Sequence, residues 1–564
     1  MGKLLGALVG LVVVVGAGWY IWTSGAVPQL YTKNSTGQTD VATNVPQRPL
    51  TKKPNIIFVL TDDLDVTSMS QFPKLKALMA DKGMTFENHF VSLSLCCPSR
   101  AATLCGEYAH NTGVFTNSAT NDDGTDGAYT AFLKNNDTSR TMAVWLKDAG
   151  YQTALMGKYL NGYDASQGVP YTVPEGWTDW AVPLDGNAYG QYNYTLNVNG
   201  KSEDHYLANC DKATAGSDRK GRKADHCKID LTTATMADKE ANYMMNVIEH
   251  KAEDFITTNA AAQKPFFVYI APYTPHSPST PAPKYESLMT DQSWLAAHPF
   301  PKPASFNEAD TTDKPKWAQQ AALLGQKQIV ILEINYHKRL ISMYGVEDMV
   351  SNLIDTLAKA GELDNTYIVF TSDNGFHLGE HRLESGKLTE FDTDLRVPLI
   401  VRGPGIKAGS AITALTANVD IAPTMVSLAG LPMPASIDGR SLTPLLFGQT
   451  AVNRNALLIE HADPASTKLL GPTGEPRDTE TQDEKIKGGE LVGKYIGVRT
   501  PQYTFVHYVR TGEDELYDDL KDPQQLTNIA ATADASLVTK LRTWATDLST
   551  CKGETCRTIE AEKR

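Results

Sequence analysis

The sequence has no excess of positive charge. Its formal net charge is -13 over 564 residues, which removes the basic face that a nucleic-acid partner requires. An anionic substrate must therefore meet a local basic cluster, because the overall field does not attract it. No internal repeat is present, so the chain is not an array of like units. Cysteine is scarce: there are seven, and no two stand in C-x-x-C spacing. That sets zinc aside in favour of disulfides. Charge is absent altogether between Lys3 and Thr23. The run is close to the length that spans a bilayer, and Trp19, Tyr20 and Trp22 resemble an interfacial aromatic belt. Residues 1–26 are read as a signal peptide or an N-terminal membrane anchor. Residues 27–53, rich in Thr, Asn, Gln and Pro, are read as a flexible linker. The expected location is periplasmic, extracellular or membrane-anchored facing outward.

What is present is the composition of a globular protein, 41% hydrophobic and 21% charged, in a chain too long for one ordinary domain. NIIFVL (55–60), PFFVYIA (265–271), TYIVFT (366–371) and VPLIV (397–401) read as buried parallel strands. Helical patterns such as FPKLKALMADKG and MVSNLIDTLAKAGEL lie between them. The alternation predicts an α/β fold with a large, mostly parallel sheet between helices, over residues 54–448. After about Leu446 the texture changes. KYIGVRTPQYTFVHYVR reads as two strands around a Thr-Pro turn, followed by the helix ASLVTKLRTWATDL. Residues 449–564 are therefore expected to form a smaller α+β domain with an antiparallel sheet. Cys551 and Cys556 close a short loop and are expected to bridge, and Cys210 and Cys227 are expected to staple a basic insert. Cys96 and Cys97 are adjacent, and neighbours rarely bridge to each other.

Open α/β sheets bind ligands beyond the carboxyl ends of their strands. After NIIFVL comes Thr61-Asp62-Asp63, after TYIVFT comes Ser372-Asp373-Asn374-Gly375, and after PFFVYIA the chain reaches His276. Lys158 follows the short apolar run TALM. Singly, each has an ordinary explanation: a helix cap, a turn, a solvated lysine, a loop histidine. Together at strand ends, Asp62, Asp63, Asp373 and Asn374 suit a hard divalent cation, Ca²⁺ before Mg²⁺. Arg100, Lys158, Lys387 and His276 could hold a tetrahedral oxyanion while its ester breaks, with His276 protonating the leaving oxygen.

Cys96-Cys97-Pro98-Ser99-Arg100 matches the C-x-P-S-R signature of type I sulfatases, in which the first Cys is oxidised to Cα-formylglycine. NIIFVLTDDLD, GKYLNGY, APYTPHSP, FTSDNGFHLGEH, RVPLIVRGPGI and ELYDDLKDPQQLTNIA match as well, so the resemblance runs from Pro54 to the C-terminus. GKYLNGY, PEGWTDW and YNYTLNVNG look most like the branch of N-acetylglucosamine-6-sulfatases and related arylsulfatases. The resemblance implies an alkaline-phosphatase-like fold and hydrolysis of aryl or carbohydrate sulfate monoesters. It implies one Ca²⁺ held by Asp62, Asp63, Asp373, Asn374 and residue 96. It implies Cys96 as nucleophile after conversion by a formylglycine-generating enzyme, with Arg100, Lys158, His276 and Lys387 around it. Hydrated formylglycine is a geminal diol: one hydroxyl attacks sulfur, and the other later expels sulfate as the aldehyde re-forms. Phosphomonoester or phosphonate hydrolysis on the same fold is the alternative ester. A non-catalytic sulfated-glycan binder is the alternative class.

Three departures from the family pattern stand out. Leu104-Cys105-Gly106-Glu107 puts an acid where the family has a base, Leu160 replaces a frequent histidine, and His377 and His381 have no assigned role beyond a substrate-facing candidate in His377. With Cys96 converted, six cysteines remain, and Cys105 is the nearest candidate partner of Cys97. The stretches 117–138 and 206–230 are the expected substrate-selecting loops. Asn34, Asn136 and Asn193 stand in N-x-S/T sequons.

Overall fold

NIIFVLT is apolar on both of its faces, and a strand of that kind must be covered on both. In the computed structural model it is strand β1 (Asn55–Thr61), buried along its whole length. Ile57 and Val59 face one core while Ile56, Phe58 and Leu60 face another. The structure describes residues 31–33, 39–41, 52–119, 126–163, 172–205, 234–449, 454–462 and 492–564.

The other strands of the main sheet are β2 (Met84–Phe90), β3 (Gln152–Gly157), β4 (Asp179–Gly186), β5 (Tyr194–Val198), β6 (Lys201–His205), β7 (Phe266–Ala271), β8 (Thr366–Ser372), β9 (Leu399–Arg402) and β10 (Ser410–Ala417). They form one ten-stranded sheet in the order β10-β2-β9-β8-β1-β7-β3-β4-β5-β6. The five central strands, β8 to β4, are parallel to one another. The fold is thus the mostly parallel α/β sheet the sequence implies.

VPLIV differs from expectation. As β9 it pairs antiparallel with both β8 and β2. The chain leaves β8 at Ser372, traverses the loops of 373–396 and turns straight back. No crossover helix returns it to the starting edge, and without one a strand cannot be parallel to its predecessor.

One face of the sheet carries α2 (Met244–Ala261) and the 34-residue α3 (Gln326–Lys359), through Ile248, Ile256, Leu340, Met343 and Val350. The other carries α1 (Cys96–Cys105) and α4 (Ile421–Leu428), through Leu104, Ala422 and Met425. A second, four-stranded antiparallel sheet follows in sequence: β11 (Leu457–His461), β12 (Tyr495–Arg499), β13 (Tyr503–Tyr508) and β14 (Asp514–Asp518). Helices α5 (Ala535–Leu548) and α6 (Glu554–Ala561) close the chain, and the Cys551–Cys556 disulfide joins them. Residues of β11 to β14, α5 and α6 share a third core with Phe90, Val91 and Tyr108.

Residues 1–26, the expected Cys210–Cys227 bridge and the insert 206–230 lie outside the described residues. Within the expected linker, Tyr31–Lys33 pairs antiparallel with Thr39–Val41. Among the described residues no helix is long and apolar enough to cross a membrane.

Candidate active site

The parallel ladder continues one residue past the strand ends, and this sets the site. Asp373 N–H donates to Thr61 O (3.1 Å), Asp62 N–H to Thr274 O (3.1 Å) and Lys158 N–H to Ala271 O (2.8 Å). The first residues after β8, β1 and β3 are therefore aligned in a row across the sheet edge. Gly157, just before Lys158, has φ +106, and a Cβ there would meet Ala271 O at 2.1 Å. Only glycine lets the chain come this close to β7 and then turn. His276 follows β7 by five residues and joins the row from the same edge.

Cys96 is the first residue of α1, after an extended Leu95, so it sits among the free N–H groups of a helix start. Arg100 is four residues on and faces the same side one turn later. Its guanidinium is fully buried; Nε and Nη2 each lie 2.8 Å from Asp373 Oδ2, and Nη1 donates to Lys158 O at 3.2 Å. Lys158 Nζ lies 2.8 Å from Asp62 Oδ2. Lys387 Nζ lies 2.7 Å from Asp63 Oδ1 and 2.9 Å from Cys96 Sγ. Cys96 Sγ is 3.4 Å from Asp62 Oδ1. His276 Nδ1 is 2.8 Å from Ser277 O, an acceptor only, so Nδ1 carries a proton; Nε2 lies 3.6 Å from Asp63 Oδ2. Every sequence-predicted site residue is thus brought to one buried cluster. Ligand atoms of Asp62, Asp63, Cys96 and His276 all lie within 4.8 Å of one another.

The electrostatics are those of charges buried in company. Burial raises the carboxyl of Asp62, but Lys158, His276, Arg100 and Lys387 together hold it far below the usual carboxylate range. Burial, and then the charge of Asp62, push Asp373 up to about 6 against Arg100 and Lys158. Burial, and then Asp62, also raise the Cys96 thiol well above its ordinary value, so as cysteine it is a poor nucleophile. The donor set fits a divalent cation on one further observation. Asp63 Oδ2 and Asn374 Oδ1 are buried oxygens that accept no hydrogen bond, a costly state unless a cation takes their lone pairs. Asn374 Nδ2 donates to Asp63 Oδ1 at 2.6 Å and holds the two side chains together.

Several contributors were not read from sequence. Asp63 has φ +64, and Arg339 from α3 donates to its carbonyl at 2.5 Å and to Asp65 Oδ2 at 3.1 Å, stacked over Phe376. The available signal was a charge among the buried positions Tyr336, Leu340 and Met343 of a helix. Asn117 accepts from Cys97 N–H at 2.9 Å. Asp394 takes His377 Nδ1 at 2.9 Å, Thr389 N–H at 2.9 Å and Thr389 Oγ1 at 2.6 Å, and so ties the loop after β8 to the loop of Lys387. His381 is spent on Glu308, at 2.6 Å, and on stacking against Phe391. Leu160 is buried in core with Tyr159 and Tyr163.

Cys105, the nearest candidate partner of Cys97, does not bridge to it; both are buried thiols. Both lie in α1, and eight residues at about 1.5 Å rise put them about 12 Å apart, beyond the reach of a disulfide. Cys97 Sγ instead approaches Asn161 O and Cys105 Sγ approaches Asp137 O, each at 3.9 Å. Glu107, beyond the left-handed Gly106, is buried 3.8 Å from Arg140. Asn193 is buried and Asn136 exposed, so of these two sequons only the latter presents its amide to solvent.

The family model described as Sulfatase matches residues 54–431. Human N-acetylglucosamine-6-sulfatase is 32% identical over 520 residues, covering 90% of this chain and 86% of that protein. A structure solved in complex with its substrate D-glucosamine-2-N,6-O-disulfate superposes with TM-score 0.65 at 24% identity, over 91% of this chain and 100% of that one. A phosphonate monoester hydrolase from Silicibacter pomeroyi superposes with TM-score 0.59 at 20% identity, over 88% and 94%.

Proposed function

Because this chain belongs to the sulfatase family and is a sulfuric ester hydrolase, we propose that it hydrolyses the 6-O-sulfate of N-acetylglucosamine-type sugars. We propose further that it does so with formylglycine at position 96 and one Ca²⁺. The observation that carries the reading is Cys96 at a helix start, 2.9 Å from Lys387 and level with Asp62 and Asp63. The substrate class follows the names of the relatives. Aryl sulfates are the simpler members of the same ester class.

Formylglycine would supply a hydrated-aldehyde nucleophile with a built-in route for sulfate release, and Ca²⁺, held by Asp62, Asp63, Asp373, Asn374 and residue 96, a fixed positive charge. The rest falls to this chain's own residues. Lys158 and Lys387 direct ammonium groups at the position of the sulfate oxygens, where charge builds as the ester bond breaks. Neither moves far, because Asp62 and Asp63 hold them at 2.8 and 2.7 Å. Arg100 keeps the row aligned by gripping Asp373 and the Lys158 carbonyl. His276, fixed through Nδ1 by Ser277 O, offers Nε2 to protonate the departing sugar oxygen. The uncharged run at residues 4–23 supports export, and a formylglycine-generating enzyme is the maturation partner this chemistry requires.

The test is a substrate panel on protein co-produced with that enzyme. A mass spectrum of the peptide holding residue 96 should show the aldehyde. Glucosamine-6-sulfate should be turned over faster than an aryl sulfate, and an aryl phosphate least. Cys96→Ala should lose at least about 1,000-fold in kcat. Retained sulfatase activity in Cys96→Ala, or preference for the phosphate, overturns the reading.

A further inference from the structure

One aromatic side chain touches both groups assigned to the ester bond and yet is partly open to solvent. The Tyr189 ring centroid lies 4.6 Å from that of His276 and 4.6 Å from that of Tyr273. Lys158 Nζ lies 4.9 Å from the Tyr189 ring centroid. Lys158, His276 and Tyr273 are 3%, 2% and 7% exposed, whereas Tyr189 is only half-buried. At this corner of the site Tyr189 is therefore the ring that an incoming molecule meets first.

The ring is also held in place. It belongs to the turn between β4 and β5, where Gly190 N–H donates to Asn187 Oδ1 at 2.9 Å and Gln191 N–H to Ala188 O at 3.0 Å. Asn187 N–H donates to Asn193 O at 2.9 Å and closes the base of the turn. A pre-ordered aromatic wall loses little entropy when a ligand packs on it.

We propose that Tyr189 is a specificity-determining residue: its open face is the wall against which the sugar ring of the sulfate ester packs. The inference rests on the function proposed above, in which His276 faces the leaving oxygen. Whatever carries that oxygen lies next to the imidazole, and the neighbouring wall is the Tyr189 ring. The C–H face of a pyranose suits an aromatic face, being apolar and broad. The sulfate itself is held elsewhere, by Lys158 and Lys387. Tyr189 thus reads the alcohol and leaves the acid alone. It stands on a hairpin outside the parallel strands that carry Asp62, Lys158 and Asp373, so the alcohol reader is separate from the chemical row.

The experiment compares Tyr189→Ala, Tyr189→Leu and Tyr189→Phe, each verified for formylglycine, on glucosamine-6-sulfate, with inorganic sulfate as product inhibitor. Alanine and leucine should raise KM roughly 10- to 100-fold with kcat within about threefold, and phenylalanine should restore KM. The inhibition constant of sulfate should stay within about twofold in all three, because sulfate never touches the ring. Leucine keeps the bulk of the side chain if alanine loosens the turn. An unchanged KM in alanine and leucine overturns the proposal. So does a sulfate constant that weakens in step with KM, which would make the ring a shield for Lys158. A wild-type enzyme inert on every sulfate ester overturns the function itself and this assignment with it.

Discussion

At the first turn of α1 lie Asp62, Asp63, Asp373, Arg100, Lys158 and Lys387; just past its last turn lie Asp420, Arg454, Glu560 and Arg440. Both groups are clusters of opposite charges built around buried carboxylates. In the second, Asp420 accepts from Arg454 Nη2 and Arg440 N–H at 2.8 Å and from Ala417 N–H at 2.7 Å. Glu560 accepts from Arg454 Nε at 3.0 Å, Arg440 Nε at 3.1 Å and the Tyr108 hydroxyl. All four carboxylate oxygens are answered by protein. In the first cluster Asp63 Oδ2 and Asn374 Oδ1 accept no hydrogen bond. The comparison teaches how to tell a clamp from a site. Buried charge whose donors and acceptors close on themselves ties chain segments together, here α6 to the core. Buried charge left partly unanswered at the open end of parallel strands is poised for a ligand.

The contrast can be broken in order of effect. Lys387→Met should cut kcat about 100- to 1,000-fold while shifting the melting temperature in excess Ca²⁺ by less than about 1 °C. A collapse of the fold instead would make the first cluster a clamp too. Arg454→Met should do the opposite. Leaving Asp420 and Glu560 uncompensated costs about 3–5 kcal/mol, seen in a chain of this length as a fall in melting temperature of roughly 3–4 °C, with kcat/KM of the folded enzyme unchanged. Arg339→Met, which releases the carbonyl of Asp63, should weaken Ca²⁺ binding about 10-fold in a calcium titration followed by thermal shift.

The smallest effect concerns Glu107, just past the end of α1 beside Arg140. Burial raises it to about 7 against the pull of Arg140. Its folded value lies above its unfolded value near 4.5, so the fold favours the protonated form. That contribution is full below about 4.5 and is lost as pH rises through about 7. Wild-type melting temperature should fall by about 1 °C from pH 6 to pH 8, and Glu107→Gln should flatten the slope. An equal slope in the variant would remove Glu107 as its source.

The site was legible where it is local. Asp62, Asp373 and Lys158 stand next to apolar runs whose strand character is a short-range property, and the parallel sheet then lines them up without further instruction. Cys96 and Arg100 were legible from the five-residue signature, and the helix then sets them one turn apart on the same side. What resisted reading depends on contacts between distant segments. The direction of β9 is decided by the absence of a crossover after Ser372, which no residue of VPLIV encodes. Arg339 reaches Asp63 across 276 positions. Tyr189 looks like any turn tyrosine until β4 and β7 bring it to His276. The Cys97–Cys105 expectation failed differently. Two cysteines eight residues apart are near neighbours in a loop and about 12 Å apart in a helix, and the helix is what forms.

Cys96 shows no surface to solvent, and the backbone around it is already wound into α1. An enzyme that oxidises a cysteine has to grip the polypeptide on both sides of it, and in the finished protein there is nothing to grip. On the function proposed above, conversion of this residue would be confined to an interval of biosynthesis: after its segment emerges and before the helix docks on the sheet. A chain that folded too early would then be locked out of its own activation, and yield of active enzyme would be a race between two clocks and not a matter of stability.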